Sequence, residues 1–295
     1  MKNSKHKKTS ARIPLALRLL RFIYNTFGRV FPVYFGHRAY DLWFTTTRFK
    51  MPEREKHAFE SAIKENIEVN KISISVYIWQ HESIEPIRTL LYVHGWTGRG
   101  TQIAPYLEQL HAIGYRVISF DGPAHGSTPG TQTSILEMTD MLFALNKTYG
   151  DFDAAITHSF GGMALTYAMS RGLKIKNVAL ISPPNNFQNL INAFQQAIQI
   201  PDSVMLAMER KGFATHGQVT RDLLDMKNNV KQLSNQGLII HDEDDIEFPC
   251  HDSEATAKVW PGAKFIKTKG LGHRRIIRDE YVIRETIRFL GSDID

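Results

Sequence analysis

The chain has 295 residues, of which 42% are hydrophobic, so it can bury a substantial core and is not a disordered protein. Its single cysteine, Cys250, excludes a disulfide framework and a metal site built from several thiolates. The net charge of +6 is uneven, because residues 1–50 hold eleven Lys or Arg and one acid, Asp41, which leaves −4 on the remainder. A basic arm on a weakly acidic body is not typical of a nucleic-acid-binding domain, so we expect no nucleic-acid partner.

The first predicted element is a helix in residues 13–35, a strongly apolar segment that Arg18, Arg21 and Arg29 interrupt. At about 100° per residue these arginines fall on one side of the helix, and they interrupt any secretory or membrane-spanning run. Two interpretations stay open. The helix lies on an anionic membrane, supported by the basic arm of residues 1–12, or it packs on the body or on a second copy with its basic face in solvent. The sequence therefore predicts a cytoplasmic protein, and it leaves open peripheral contact with the inner face of the membrane through residues 13–35 and a homo-oligomer.

Residues 36–65 are predicted to form further helix and irregular covering structure. The period changes from Ile67, and the alternation of apolar and polar residues over 72–78 predicts a half-buried strand. The continuous apolar run Thr89–Val93 is typical of a strand buried on both faces. Strands and helices then alternate, with helices predicted over 103–113, 133–149, 163–170 and 280–290 and strands over 115–120, 155–158, 178–181, 238–240 and 264–267. This order predicts an α/β fold, a mostly parallel twisted sheet with helices on both faces.

One long segment departs from this alternation. Residues 185–236 lie between two predicted strands and contain polar and helical sequence only. An insertion of this length is most often a lid. We therefore predict a basic N-terminal arm and helical segment in residues 1–65, an α/β core in 66–184 and 237–295, and a helical lid in 185–236.

The clearest candidate for chemistry is the stretch 155–162, in which small and apolar residues end in Ser159 and two glycines follow. This pattern predicts a strand, a sharp turn with the serine at its apex, and a helix. A nucleophilic serine needs a base and an acid that orients the base. Acidic residues follow the strand at 238–240, and His273 follows the strand at 264–267, so all three groups come from loops at the carboxyl ends of strands.

Five motifs in this order resemble those of the α/β-hydrolase fold serine hydrolases, over roughly residues 66–292. They are similar to the family's oxyanion loop, its Asp-x-Pro-Gly-His-Gly-x-Ser loop, its Gly-x-Ser-x-Gly elbow, its His-Gly-x-x-Asp-x-x-x-Pro acid loop and its histidine loop. In this chain the motifs are His94-Gly95-Trp96, Asp121 to Ser127, Thr157 to Gly161, His241 to Pro249 and Gly272-His273.

The resemblance implies that Ser159 is the nucleophile and His273 the base. It implies that Asp245 is the orienting carboxylate, because the family's His-x-x-x-Asp spacing selects it over its rivals Asp242 and Asp244.

The resemblance also implies an oxyanion hole formed by the backbone N–H groups of Trp96 and Phe160. His158 and Trp96 are candidates for lining the substrate pocket. His94 and His125 are expected to hold loops by hydrogen bonds.

Two residues depart from the family pattern. Thr157 replaces the first glycine of the elbow, and Asp242 replaces the glycine of the acid loop. Serine at the elbow favours acyl transfer to water, so the resemblance implies a carboxylesterase acting on a small, lipophilic ester without cofactor or metal. A thioesterase, a monoacylglycerol lipase, an aminopeptidase of the same fold and a non-catalytic binding protein on this scaffold remain alternatives.

Overall fold

The structure, a computed structural model, describes residues 14–80, 88–216 and 219–292. The chain divides into two compact units. The smaller consists of Met1–Trp43 and Asn192–Gly217, and the larger of Phe44–Ile191 and Gln218–Asp295. The larger unit contains the sheet and the candidate site.

The strands all belong to the larger unit. In chain order they are β1 (Ile63–Val69), β2 (Ile72–Trp79), β3 (Arg88–Val93), β4 (Tyr115–Phe120), β5 (Phe152–His158), β6 (Ile175–Ile181), β7 (Gln236–Asp242) and β8 (Lys264–Thr268).

The helices are distributed over both units, and two 3₁₀ turns, Gly100–Tyr106 and Ile276–Arg278, supplement them. In chain order the helices are α1 (Leu15–Val30), α2 (Pro32–Trp43), α3 (Glu53–Ser61), α4 (Leu107–Ala112), α5 (Ile135–Tyr149), α6 (Phe160–Ser170), α7 (Phe187–Ile198), α8 (Asp202–His216), α9 (Val219–Leu223), α10 (Met226–Val230), α11 (Cys250–Val259), α12 (Gly272–Arg275) and α13 (Glu280–Gly291).

The strands form one sheet in the order β1-β2-β4-β3-β5-β6-β7-β8. Strand β2 runs antiparallel to β1 and β4, and the other neighbouring pairs are parallel. The predicted mostly parallel sheet is confirmed. Since parallel strands place their carboxyl ends at one edge, the loops after β3, β5, β7 and β8 converge there.

Helices cover both faces of the sheet, because side chains alternate along each strand. Leu91 and Val93 of β3 point into a core shared with α5 and α6. Leu90 and Tyr92 point into a second core, shared with α3, α4 and α13. This two-sided burial explains the continuous apolar sequence of β3.

Two predictions for this unit are wrong in detail. Strand β1 begins at Ile63, inside the segment predicted as helical and irregular, and it pairs with β2 through a hairpin with positive φ at Asn70 and Lys71. Its largely exposed, polar sequence carried little strand signal. The helix predicted over 103–113 is a 3₁₀ turn followed by α4, because Pro105 lies inside the first part and cannot donate a helical hydrogen bond.

The smaller unit is helical. Its α2 and α8 pack along each other, and Lys211 of α8 pairs with Asp41 of α2 at 3.1 Å. Tyr24 of α1 is buried and meets Phe35 of α2 edge to face, with ring centroids 5.4 Å apart. Within the described part of residues 185–236 the chain forms α7 to α10, and the role of this segment as a lid stays a prediction. In the described ranges no helix has both the length and the apolar composition that crossing a bilayer requires.

Candidate active site

The turn at Ser159 joins β5 directly to α6. Ser159 has φ 53° and ψ −127°, a strained conformation for a residue other than glycine. Its N–H donates to the carbonyl of Ile181 at 2.9 Å, which ties the turn to the neighbouring strand β6. A Cβ on Gly161 would lie 2.5 Å from the carbonyl oxygen of Val93, so only glycine lets α6 begin this close to β3. These contacts place the serine at the carboxyl edge of the sheet.

The elbow accommodates the threonine that replaces the family's first glycine. Thr157 is fully buried, and a Cβ on Gly162 would lie 3.0 Å from its Oγ1. The absence of a side chain at Gly162 therefore provides the space that the β-branch of Thr157 occupies.

Three side chains from separate loops meet at this edge. The Oγ of Ser159 lies 2.9 Å from Nε2 of His273, and Nδ1 of His273 lies 2.8 Å from Oδ2 of Asp245. Ser159 and His273 are 6% and 7% exposed, so their contact is nearly closed to solvent. An ionised carboxylate can only accept a hydrogen bond, so Nδ1 of His273 carries the ring proton and donates it to Asp245. The lone pair of Nε2 is then directed at the serine hydroxyl.

Asp245 is held as a carboxylate by several donors. Its Oδ1 accepts the N–H groups of Glu247 and Phe248 at 2.8 and 3.0 Å. Its Oδ2 also lies 3.1 Å from Nε2 of His241. Burial alone would raise the pKa of Asp245, but the hydrogen bonds from His241 and His273 outweigh it and hold that pKa well below its usual range. The group that faces His273 is therefore ionised at neutral pH.

The two rivals for the acid role make different contacts. Asp242 is buried and faces the backbone of the loop before His273, accepting the N–H groups of Leu271 at 3.1 Å and Gly272 at 2.9 Å. Burial acts to raise the pKa of Asp242, and hydrogen bonds led by the one from Gly272 lower it overall. Asp244 accepts the N–H of Gly270 at 3.0 Å and is exposed. Asp242 and Asp244 thus hold the histidine loop, and Asp245 contacts the imidazole.

The loop after β3 packs against the nucleophile turn. A Cβ on Gly95 would lie 3.0 Å from the Cβ of Ser159, so the backbone of this loop borders the serine. The rings of Trp96 and Phe160 meet edge to face at 5.1 Å. The N–H of Phe160 is the first of α6 and has no acceptor within its helix. The two residues predicted to donate to an oxyanion therefore lie side by side next to Ser159.

His158 supports the catalytic candidate His273. It is 8% exposed, and its Nε2 donates to the carbonyl of His273 at 2.9 Å. The two rings lie 5.0 Å apart. Burial, followed by repulsion from His273, lowers the pKa of His158 to about 3. This contact positions the backbone of His273, and a role for His158 or Trp96 in the substrate pocket stays a prediction.

His94 and His125 connect neighbouring loops. Gly122 donates its N–H to Nε2 of His94 at 2.9 Å, and Thr97 donates its N–H to Nε2 of His125 at 3.0 Å. Burial is the main cause that lowers the pKa of His94 to about 4 and that of His125 to about 3. Both side chains thus link the loops after β3 and β4, as neutral imidazoles.

We expect these buried histidines to make the fold acid-sensitive. In the unfolded chain they bind protons below about pH 6.5, whereas the folded pKa values of His94, His125 and His158 are about 4, 3 and 3. The unfolded state therefore binds more protons as the pH falls from 6.5 toward 4, and the free energy of unfolding decreases by about 1.4 kcal/mol per pH unit for each histidine.

Urea unfolding between pH 4.5 and 7.5 measures this dependence. The free energy of unfolding should change less steeply with pH for His125→Asn than for the wild type. The matched control His251→Asn, at a side chain that is 81% exposed, should keep the wild-type slope. Equal slopes in all three proteins would contradict this prediction.

Sequence reasoning missed two supporting groups. The motif spacing assigns His241 no role of its own, yet its buried side chain donates a hydrogen bond to the carboxylate of Asp245. For Asp242 the sequence indicates only a rival acid or a local change of the turn, and it gives no sign of the hydrogen bonds that this carboxylate accepts from the histidine loop. The one signal available was the replacement of the family's glycine by a residue able to accept hydrogen bonds.

Comparison with known proteins agrees with this fold. A family model described as the alpha/beta hydrolase fold matches residues 88–224. A search of curated proteins gave no match. The solved structure of an esterase of Pyrococcus furiosus, Pf2001, is 18% identical, with a TM-score of 0.63, and the alignment covers 84% of this chain and 98% of the esterase. Est1E of Butyrivibrio proteoclasticus, solved with ferulic acid bound, is 19% identical with a TM-score of 0.58, covering 78% and 97%. Alpha/beta hydrolase domain-containing protein 10 from mouse is 17% identical with a TM-score of 0.62, covering 79% and 99%.

The sheet order, the family match and the structural likeness together identify the chain as a protein of the α/β-hydrolase fold. The resemblance deduced from the five motifs and the predicted fold class are thereby confirmed.

Proposed function

We propose that this protein is a serine hydrolase that cleaves carboxylic esters through an acyl-enzyme on Ser159. The observation that carries the proposal is the continuous chain of contacts from Ser159 Oγ to His273 Nε2 at 2.9 Å and from His273 Nδ1 to Asp245 at 2.8 Å. The match to the alpha/beta hydrolase family and the esterases among the similar structures support it.

In the proposed first step, Ser159 Oγ forms a bond to the acyl carbon while His273 Nε2 takes the hydroxyl proton. Negative charge develops on the former carbonyl oxygen. The N–H groups of Trp96 and Phe160 would donate hydrogen bonds to this oxygen, and each would stabilise the transition state by about 3 kcal/mol. The bond to the alcohol then breaks, and the alcohol leaves with the proton from His273.

In the second step, water takes the place of the alcohol. His273 removes a proton from water as the water oxygen attacks the acyl carbon, and it returns the proton to Ser159 as the acid leaves. Throughout both steps Asp245 stays ionised and compensates the charge of the imidazolium, in line with its lowered pKa.

We propose a lipophilic acyl group because aromatic rings border the site, with Phe248 5.1 Å from the ring of His273 and Trp96 5.1 Å from Phe160. The test is a panel of p-nitrophenyl esters of increasing chain length, run beside an acyl thioester and an aminoacyl amide. Turnover that is highest on the esters supports a carboxylesterase. Faster turnover of the thioester or of the amide would replace this with a thioesterase or an aminopeptidase.

The alternative of another class, a binding protein on the same scaffold, makes a different prediction for covalent labelling. A fluorophosphonate probe should label Ser159 in the native protein, because the probe reacts with a serine activated by an adjacent base. A folded protein that takes no label and hydrolyses none of these substrates would support the binding protein.

A further inference from the structure

Helix α1 packs within the smaller unit through its buried residues Tyr24 and Gly28, and two polar side chains beside them also contact the protein. Arg21 donates from Nε and Nη2 to the carbonyl of Ala197 at 3.0 and 2.8 Å, and Asn25 donates from Nδ2 to the carbonyl of Gln199 at 2.9 Å. These contacts cap carbonyl groups at and beyond the end of α7, which lack helical partners. Two of the hydrophilic residues of α1 therefore point toward the protein.

The other side of α1 leaves large apolar side chains in solvent. Leu15, Leu19, Phe22 and Val30 are 78%, 57%, 60% and 66% exposed, and at 100° per residue they lie within a sector of about 80°. We call these four residues the apolar face. The exposed residues Phe31 and Val33, at the junction with α2, extend the apolar surface. Packing on the protein uses Tyr24 and Gly28 on the opposite side of α1, so the apolar face is a second apolar surface that is available for a ligand outside the chain.

The charge around the apolar face has one sign. Arg18 and Arg29 are exposed and fall directly beside Leu15 and Phe22 on the helical wheel. Residues 1–40 hold nine Lys or Arg and no Asp or Glu. A second copy docked on this face would bring these arginines against each other, which is unfavourable. An extended surface of negative charge with an apolar interior matches both features.

We propose that the apolar face of α1 docks on an anionic lipid surface. The helix would lie in the plane of the interface, with Leu19 and Phe22 in the acyl region and Arg18 and Arg29 at the lipid phosphates. This extends beyond ester hydrolysis, since the proposed binding needs neither Ser159 nor its partners.

The test is co-sedimentation of the full chain with phosphatidylcholine vesicles, with and without phosphatidylserine. We expect binding to the anionic vesicles that weakens as the salt is raised, because salt screens the arginines. Leu19→Ser with Phe22→Ser should lower the partition coefficient about 100-fold, since each apolar side chain contributes about tenfold. Arg18→Gln with Arg29→Gln should lower it on anionic vesicles alone. Both pairs are exposed, so each tests the surface without disturbing a core.

The matched control is Leu136→Ser on α5, an apolar residue that is 40% exposed in the larger unit, and it should bind like the wild type. Wild-type protein that stays in the supernatant at low salt would overturn the proposal, as would a Leu19/Phe22 variant that binds vesicles normally.

Light scattering tests whether the apolar face binds a second copy of the chain instead. A dimer that the Leu19/Phe22 change converts to monomer, without vesicle binding, would assign the face to a second copy. None of these readouts depends on ester turnover, so they stand apart from a failure of the proposed hydrolase.

Discussion

Replacing Ser159 with alanine is expected to lower kcat for p-nitrophenyl ester hydrolysis by about 10⁴-fold to 10⁶-fold and to abolish fluorophosphonate labelling. The substitution removes only the hydroxyl that lies 2.9 Å from His273 Nε2, and among the described residues no other hydroxyl lies within hydrogen-bond distance of that nitrogen. The strained backbone at φ 53° is as accessible to alanine as to serine, so the melting temperature should change little. Unchanged turnover in a folded Ser159→Ala protein would remove the proposed mechanism.

A second serine at the same carboxyl edge of the sheet provides the matched control. Ser182 follows β6, the neighbour of β5, and it also has a positive φ, of 46°. Its Oγ is buried and makes no hydrogen bond within the described ranges of the chain. Ser182→Ala removes an equivalent hydroxyl from an equivalent backbone, so it should leave turnover within a few-fold of the wild type. An effect as large as that of Ser159→Ala would indicate general disruption of this edge in place of loss of a nucleophile.

The sequence predicted those strands and helices in which burial of a face requires apolar residues at regular positions. The run Thr89–Val93 is apolar because both faces of β3 are covered, and covering both faces requires helices. The same logic placed Ser159 and His273 at one edge, since loops after parallel strands meet there. Strand β1 is the counterexample. It lies at the sheet edge with most side chains in solvent, so burial imposes no pattern on it.

Contacts made by polar side chains to backbone could not be predicted in the same way. The carboxylate of Asp242 binds N–H groups about thirty positions later in the chain, and no spacing encodes that distance. The orientation of α1 is a similar case. Its apolar residues lie on more than one side of the helix, and contacts such as the burial of Tyr24 and the hydrogen bonds of Arg21 to the carbonyl of Ala197 decide which side faces the protein.

The largest effect after that of Ser159→Ala is expected for Asp245→Asn, which should lower kcat by about 10⁴-fold with little change in fold. The amide removes the negative charge that compensates the imidazolium, and it can hold His273 in the tautomer with the proton on Nε2. In that tautomer the ring donates toward Ser159 and cannot take its proton. Because Asp245 also accepts from His241, Glu247 and Phe248, the melting temperature should be measured beside kcat.

The neighbouring acids make this prediction specific, because all three carboxylates lie within four residues of sequence. Asp242→Asn keeps one acceptor oxygen for the histidine loop, so misplacement of His273 should cost at most about 10²-fold in kcat. Asp244→Asn affects one exposed hydrogen bond to Gly270 and should stay within a few-fold. The expected order of loss is Asp245, then Asp242, then Asp244. If Asp242→Asn or Asp244→Asn lowers kcat more than Asp245→Asn in equally folded proteins, the orienting acid is assigned to the wrong residue.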